Sequence, residues 1–167
     1  SHAYDSDHIA GHIIVRRAKA GETLTLLNGK ELPLSTDDLT IADDAGIVGL
    51  AGVMGGVKDS ILPTTSKVIL EIANFQAAGI RRTALRYDNR TEASARYEKA
   101  IDPERCDQAL DLSMQLFSDL YPEMKVTGLV REFDLARDRV REHESLPQPA
   151  LLAAVARRRT YIPVAYT

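Results

Sequence analysis

Between residues 13 and 73 the apolar positions come in short, β-branched runs separated by turn residues, which is the pattern of strands. Ile13-Ile14-Val15 is the first run. Thr23-Leu24-Thr25-Leu26-Leu27 meets Asn28-Gly29, and Glu31-Leu32-Pro33-Leu34 returns, so residues 23 to 34 predict a β-hairpin. Asn28 and Gly29 tolerate the positive φ that a type I′ turn needs at both central positions. Pro33 has no N–H to give to a ladder, which predicts an edge strand. Leu39-Thr40-Ile41-Ala42 and Lys67-Val68-Ile69-Leu70-Glu71-Ile72-Ala73 are two further strands. Between them, residues 46 to 56 hold five glycines, a density that suits neither a regular strand nor a helix. Such a run either lets packed strands cross closely or brings bare N–H groups against a ligand. Glu71, near the end of its apolar strand, either faces outward or sits in a site.

From residue 76 to 121 the apolar spacing changes to that of helices. Gln76 to Arg86 is one candidate. Asp102 and Pro103 suit the N-cap and first position of another, in which Leu110, Met114, Phe117 and Tyr121 form an apolar stripe ended by Pro122. Val126 to Val130 reads as one more strand. Strands followed by helices predict an α+β domain, with a mixed or antiparallel β-sheet packed with helices. Residues 131 to 159 hold seven arginines and five acids with weak periodicity. The expected division is a domain over residues 1–134 and a C-terminal tail over 135–167, partly helical or irregular.

Composition narrows the class. The 167 residues are 44% hydrophobic and 27% charged, ordinary values for a globular protein. A single cysteine, Cys106, excludes an internal disulfide and a cysteine-based zinc cluster. No apolar run approaches the ~18 residues of a membrane span, and the first residues lack the pattern of a signal peptide. The expected setting is cytoplasmic, with no membrane partner. A net charge of −3 gives no global attraction to nucleic acid. Residues 79 to 99 nevertheless hold six basic residues against three acids. Arg82, Arg86 and Arg90 of that stretch either contact phosphates or form a solvated face with local ion pairs. His8 and His12 share the spacing of one helix face, but Gly11 and the following strand argue against a zinc pair, and no metal site is expected.

Several motifs recur here in a specific order. Arg81-Arg82-Thr83-Ala84, then Arg90-Thr91-Glu92-Ala93-Ser94-Ala95-Arg96-Tyr97-Glu98-Lys99, then Asp102-Pro103 resemble a run found in the B3/B4 domain of the bacterial-type phenylalanyl-tRNA synthetase β subunit. His2-Ala3-Tyr4-Asp5 is similar to that family's His-Ala-Phe-Asp motif. Leu26-Leu27-Asn28-Gly29, Leu50-Ala51-Gly52-Val53-Met54-Gly55-Gly56 and Leu70-Glu71-Ile72-Ala73-Asn74-Phe75 resemble further family segments in the same order. The resemblance covers residues 2 to about 134. Two departures are local: the family's glycine after Lys99 is Ala100, and Tyr87-Asp88-Asn89 precedes Arg90 in place of a more usual Gly-Leu pair.

The resemblance implies an editing domain that hydrolyses tyrosine wrongly attached to tRNA(Phe). It places Glu71 on the carboxylate that recognises the tyrosine hydroxyl and Gly52 on a backbone reader of the same group. Gly55 and Ala93 fall on pocket positions, and His2 and Thr91 on the candidate catalytic ones. The expected partners are the tRNA(Phe) acceptor end, the synthetase α subunit and the remaining β-subunit domains. No cofactor is expected for this domain; ATP and magnesium belong to the full synthetase. The chain is expected to be a piece of a longer β subunit, to lack a family segment that precedes the His-Ala-Phe-Asp motif, and to be weak or inactive alone. Two alternatives remain open: a non-catalytic tRNA-positioning or subunit-packing module, and a free-standing aminoacyl-tRNA deacylase.

The chemistry suits such a site. A synthetic pocket cannot strongly reject an isostere that only adds a hydroxyl. An editing pocket can hold a buried acceptor that stays unpaired when phenylalanine enters, at a cost of ~1–3 kcal/mol.

Overall fold

The computed structural model describes residues 1–103, 105–127, 131–134, 159–162 and 165–166. Eight strands come first: β1 (His2–Asp5), β2 (Ile14–Arg17), β3 (Thr23–Thr25), β4 (Glu31–Pro33), β5 (Leu39–Ala42), β6 (Ile47–Leu50), β7 (Met54–Gly55) and β8 (Val68–Glu71). The helices α1 (Ala77–Arg86), α2 (Glu92–Tyr97) and α3 (Arg105–Leu120) follow. Strands β9 (Arg131–Asp134), β10 (Arg159–Ile162) and β11 (Ala165–Tyr166) come last. The class is α+β as expected, and every strand pair among the described residues is antiparallel.

Strands β2-β5-β6-β7 form a four-stranded sheet, and β1-β8-β11 a three-stranded one. The pairs β3-β4 and β9-β10 are separate two-stranded ribbons. Leu24, Leu26, Ile41, Val48 and Leu50 bury their side chains in one cluster, joined by Phe75 and by Ile80 of α1. Leu24, Leu26 and Ile41 come from the expected runs, whereas Val48 and Leu50 belong to β6, which with β7 forms inside the glycine-rich segment, contrary to the expectation that it would hold no regular strand. The segment read as a tail holds β10, paired with β9, and β11, paired with β8. The expected strand at 126–130 lies partly outside the described residues.

The hairpin forms, but its turn differs from expectation. Gly29 has φ +81° and Asn28 does not enter the positive region, so the turn is not type I′. Instead Gly29 N–H donates to Leu26 O at 2.8 Å, and Leu26 N–H to Lys30 O at 2.9 Å. Leu26 is fully buried and bridges to Gly56, so packing at the hairpin's end selects the turn. Pro33 sits in the two-stranded ribbon opposite Thr23, as its missing donor requires.

Helix α3 keeps most of its expected stripe: Leu110, Met114 and Phe117 are half-buried, and only Tyr121, past its end, is not. Leu110 packs with Cys106 against Ile72 and Leu70 at the β8 end, whereas Tyr121 is 62% exposed.

Ala100, where the resembled family carries glycine, has φ +55°. A Cβ in that region costs about 1–2 kcal/mol. Ala100→Gly should therefore stabilise the domain by about 0.5–1 kcal/mol, because glycine's added freedom in the unfolded chain offsets part of the relief. Urea denaturation of the two proteins checks this.

Candidate functional site

The strand register builds the centre of the site. β1 and β8 place His2 directly opposite Glu71, with Tyr4 two residues further along the same face. The Tyr4 hydroxyl donates to Glu71 Oε2 at 2.6 Å. Glu71 is buried at 7% exposure, and burial pushes its carboxyl above the usual range, opposed by the bond from Tyr4. The Tyr4 phenol is pushed well up, by burial first and by the Glu71 charge second. His2 packs edge-on against the Tyr4 ring, with centroids 4.6 Å apart. Burial holds the His2 imidazole below its usual range, so it is neutral at pH 7.

The glycine run supplies the facing wall. Leu50 to Val53 close a turn through Val53 N–H to Leu50 O at 3.0 Å. Gly52 takes the third position with φ +67°, where glycine is favoured. A Cβ there would also meet Ile80 Cδ1 at 2.9 Å and Phe75 Cδ2 at 3.0 Å. Gly55 of β7 faces His2, whose Cε1 and Nε2 would lie 2.4 Å from an added Cβ. Both glycines thus serve close packing, which is the first of the two readings of the glycine run, and both also line the cavity.

These elements line a small cavity of about 50 Å³ that opens to solvent. Its wall includes His2, Tyr4, Gly52, Gly55, Glu71 and Ala93. Tyr97 of α2 closes it too, donating its hydroxyl to Ala73 O at 3.0 Å and stacking edge-on against Phe75. Five of the six expected substrate and catalytic positions therefore meet at one cavity.

Thr91 is the exception. It does not line the cavity; it is the N-cap of α2. Its hydroxyl donates to Val53 O at 2.8 Å and accepts from Ser94 N–H at 3.1 Å, completing a capping box. With its hydroxyl so engaged, Thr91 fixes α2, and hence Ala93 and Tyr97, against the glycine turn. Thr91→Ala should cost about 1–2 kcal/mol of stability, measurable by chemical denaturation.

The three arginines separate. Arg86 pairs with the fully buried Asp38, which also accepts from Thr83 Oγ1 at 2.9 Å and from the Tyr87 hydroxyl. Arg90 pairs with Glu98. Arg82 is exposed. Arg81, Leu85, Arg90, Glu98 and Lys99 line a second, roomier depression. Tyr4, which lines the cavity and bonds Glu71, is a residue the motif reading passes over. Its signal was a tyrosine where the resembled motif has phenylalanine. No group of His, Cys, Asp or Glu among the described residues is arranged to hold a metal ion. No described helix is long and apolar enough to cross a membrane.

Residues 1–122 match the B3/4 domain family, and the chain belongs to it. It is 42% identical over 132 residues to the phenylalanine–tRNA ligase β subunit of Solibacter usitatus, covering 78% of this chain and 17% of that protein. The corresponding subunit of Leifsonia xyli subsp. xyli is 45% identical over 120 residues, covering 72% of this chain and 14% of the relative. That of Moorella thermoacetica is 44% identical over 120 residues, covering 71% and 15%. The chain thus spans 14–17% of the length of these relatives.

Proposed function

We propose that this domain is the editing part of a phenylalanine–tRNA ligase β subunit and removes tyrosine wrongly esterified to tRNA(Phe). The observation that carries the reading is the buried Glu71 carboxylate on the cavity wall. Among the described residues only Tyr4 donates to it, through Oε2, so Oε1 remains as an acceptor for a phenol. The Gly52 N–H, which meets no described backbone acceptor, is the candidate donor on the same cavity wall. A phenylalanyl side chain offers no hydroxyl and leaves Glu71 Oε1 and the Gly52 N–H unpaired, which is the basis of selection.

His2 is the candidate catalytic group. Its neutral imidazole can accept a proton from water as the water oxygen attacks the ester carbonyl. The bond to the ribose oxygen then breaks, and the proton returns to that oxygen. This step uses no cofactor; ATP and magnesium belong to the charging reaction. Of these three arginines, Arg82 has no ion pair among the described residues and is left for the acceptor end, while Arg86 and Arg90 sit in ion pairs. The α subunit and the other β-subunit domains supply the remaining tRNA contacts.

The test presents tyrosyl-tRNA(Phe) and phenylalanyl-tRNA(Phe) to a β-subunit-containing synthetase that carries this domain. Faster loss of the tyrosyl ester is expected. Loss of both esters at the rate seen in buffer would move the reading to a non-catalytic positioning module.

A further inference from the structure

We propose that Tyr4 is a positioning residue of the hydroxyl reader, holding the Glu71 carboxylate so that its second oxygen is set to take a substrate phenol. The inference rests on the reading of the cavity as a tyrosyl reader and adds to it a residue of this chain. Three observations support it. The Tyr4 hydroxyl reaches Glu71 Oε2 at 2.6 Å across the β1–β8 pair. Tyr4 is 2% exposed and Glu71 7%, so each is the other's replacement for water. Tyr4 also lines the cavity and touches His2 edge-on, tying the reader to the candidate catalytic imidazole.

The geometry is that of one carboxylate shared by two phenols. A carboxylate has about four acceptor sites on two oxygens, so Tyr4 does not exhaust it. An unsupported buried carboxylate would take up a proton and lose half of its accepting capacity. It would also swing among rotamers. One fixed donor opposes both outcomes, so the incoming hydroxyl finds a charged, oriented acceptor. The titratable groups facing the carboxylate are His2 and Tyr4 on β1, Tyr97 on α2 and the Ser1 amino group. Of these, Tyr4 is the donor in contact and opposes the upward effect of burial on Glu71.

The experiment compares wild type, Tyr4→Phe, Glu71→Gln and the double variant. The first readout is the affinity ratio for tyrosinamide over phenylalaninamide, by calorimetry. The second is the Glu71 carboxyl titration, followed by carbon NMR without ligand. Tyr4→Phe keeps the ring and its contact to His2, and is expected to lower the ratio about tenfold, the share of one charge-assisted hydrogen bond. It should also move the Glu71 midpoint to higher pH, which a purely structural role would not do. In the Glu71→Gln background the further effect of Tyr4→Phe should be small, because the two side chains act as one unit.

A wild-type ratio that Tyr4→Phe leaves intact, or raises, overturns the proposal; a rise would mean that Tyr4 competes with the substrate. An unmoved Glu71 midpoint overturns it as well. A wild-type ratio near one overturns the editing reading and this inference together, and the titration still reports whether Tyr4 holds Glu71.

Discussion

Glu71→Ala should abolish the preference for tyrosyl over phenylalanyl ligands, a loss of about ten- to a hundredfold. The size follows from a buried, charge-assisted hydrogen bond whose loss is worth about 1.5–3 kcal/mol. Glu71 ends β8 on the cavity wall, opposite His2 and bonded to Tyr4, so its removal takes away the only carboxylate at the reading position among the described residues. The variant also strands the buried Tyr4 hydroxyl, so a stability loss of about 1–3 kcal/mol accompanies the effect. Glu71→Gln separates the two consequences. It keeps an oxygen for Tyr4 and removes the charge, so the domain should stay near wild-type stability while the preference falls part of the way. The ratio of tyrosyl-tRNA to phenylalanyl-tRNA hydrolysis in a synthetase carrying the domain reads the effect. An unchanged ratio in Glu71→Ala would remove Glu71 from the reader.

Gly55→Val should lower hydrolysis of the tyrosyl ester by about one to two orders of magnitude while the fold survives. An added Cβ lies 2.4 Å from the His2 ring atoms, so the ring must leave its place. His2 then loses its edge contact with Tyr4, and the candidate base moves away from the cavity. Displacements of about 1 Å at a reacting group cost as much as ~10²-fold. Gly55 is not in the left-handed region, so a β-branched residue suits its strand backbone. Thermal unfolding should therefore change little, whereas kcat/KM should fall. A Gly55→Val protein that edits normally would show that the glycine serves strand packing alone.

Local signals carry the elements better than the contacts between them. The β-branched run Leu39–Ala42 becomes β5 within its expected bounds, and Ala77–Arg86 matches the expected helix to within one residue. These elements follow from periodicity, which a single segment displays. The turn at Asn28-Gly29 was misread because Leu26 packs fully buried against the glycine run, a contact about thirty residues away in the chain. The charge excess near Arg86 gave no hint that Asp38, buried in the loop between β4 and β5, takes that guanidinium. Thr91 was legible as part of a motif, yet a motif does not say whether a hydroxyl faces a ligand or caps a helix. Only the bond to Val53 O and the capping box decide that. Tyr4 meets Glu71 across 67 residues, so no local pattern announces the pair. The site was readable through the resemblance because its members stand in ordered motifs, whereas their mutual geometry needed the sheet register.

The most direct measurement is calorimetric titration of the 167-residue chain with tyrosinamide and with phenylalaninamide, in wild type and Glu71→Ala. It needs no tRNA and no catalysis, so it isolates the hydroxyl reader itself. The account predicts at least a tenfold tighter Kd for tyrosinamide in the wild type and equal affinities in the variant. Equal affinities in the wild type, or a tyrosinamide preference that survives in Glu71→Ala, would contradict it.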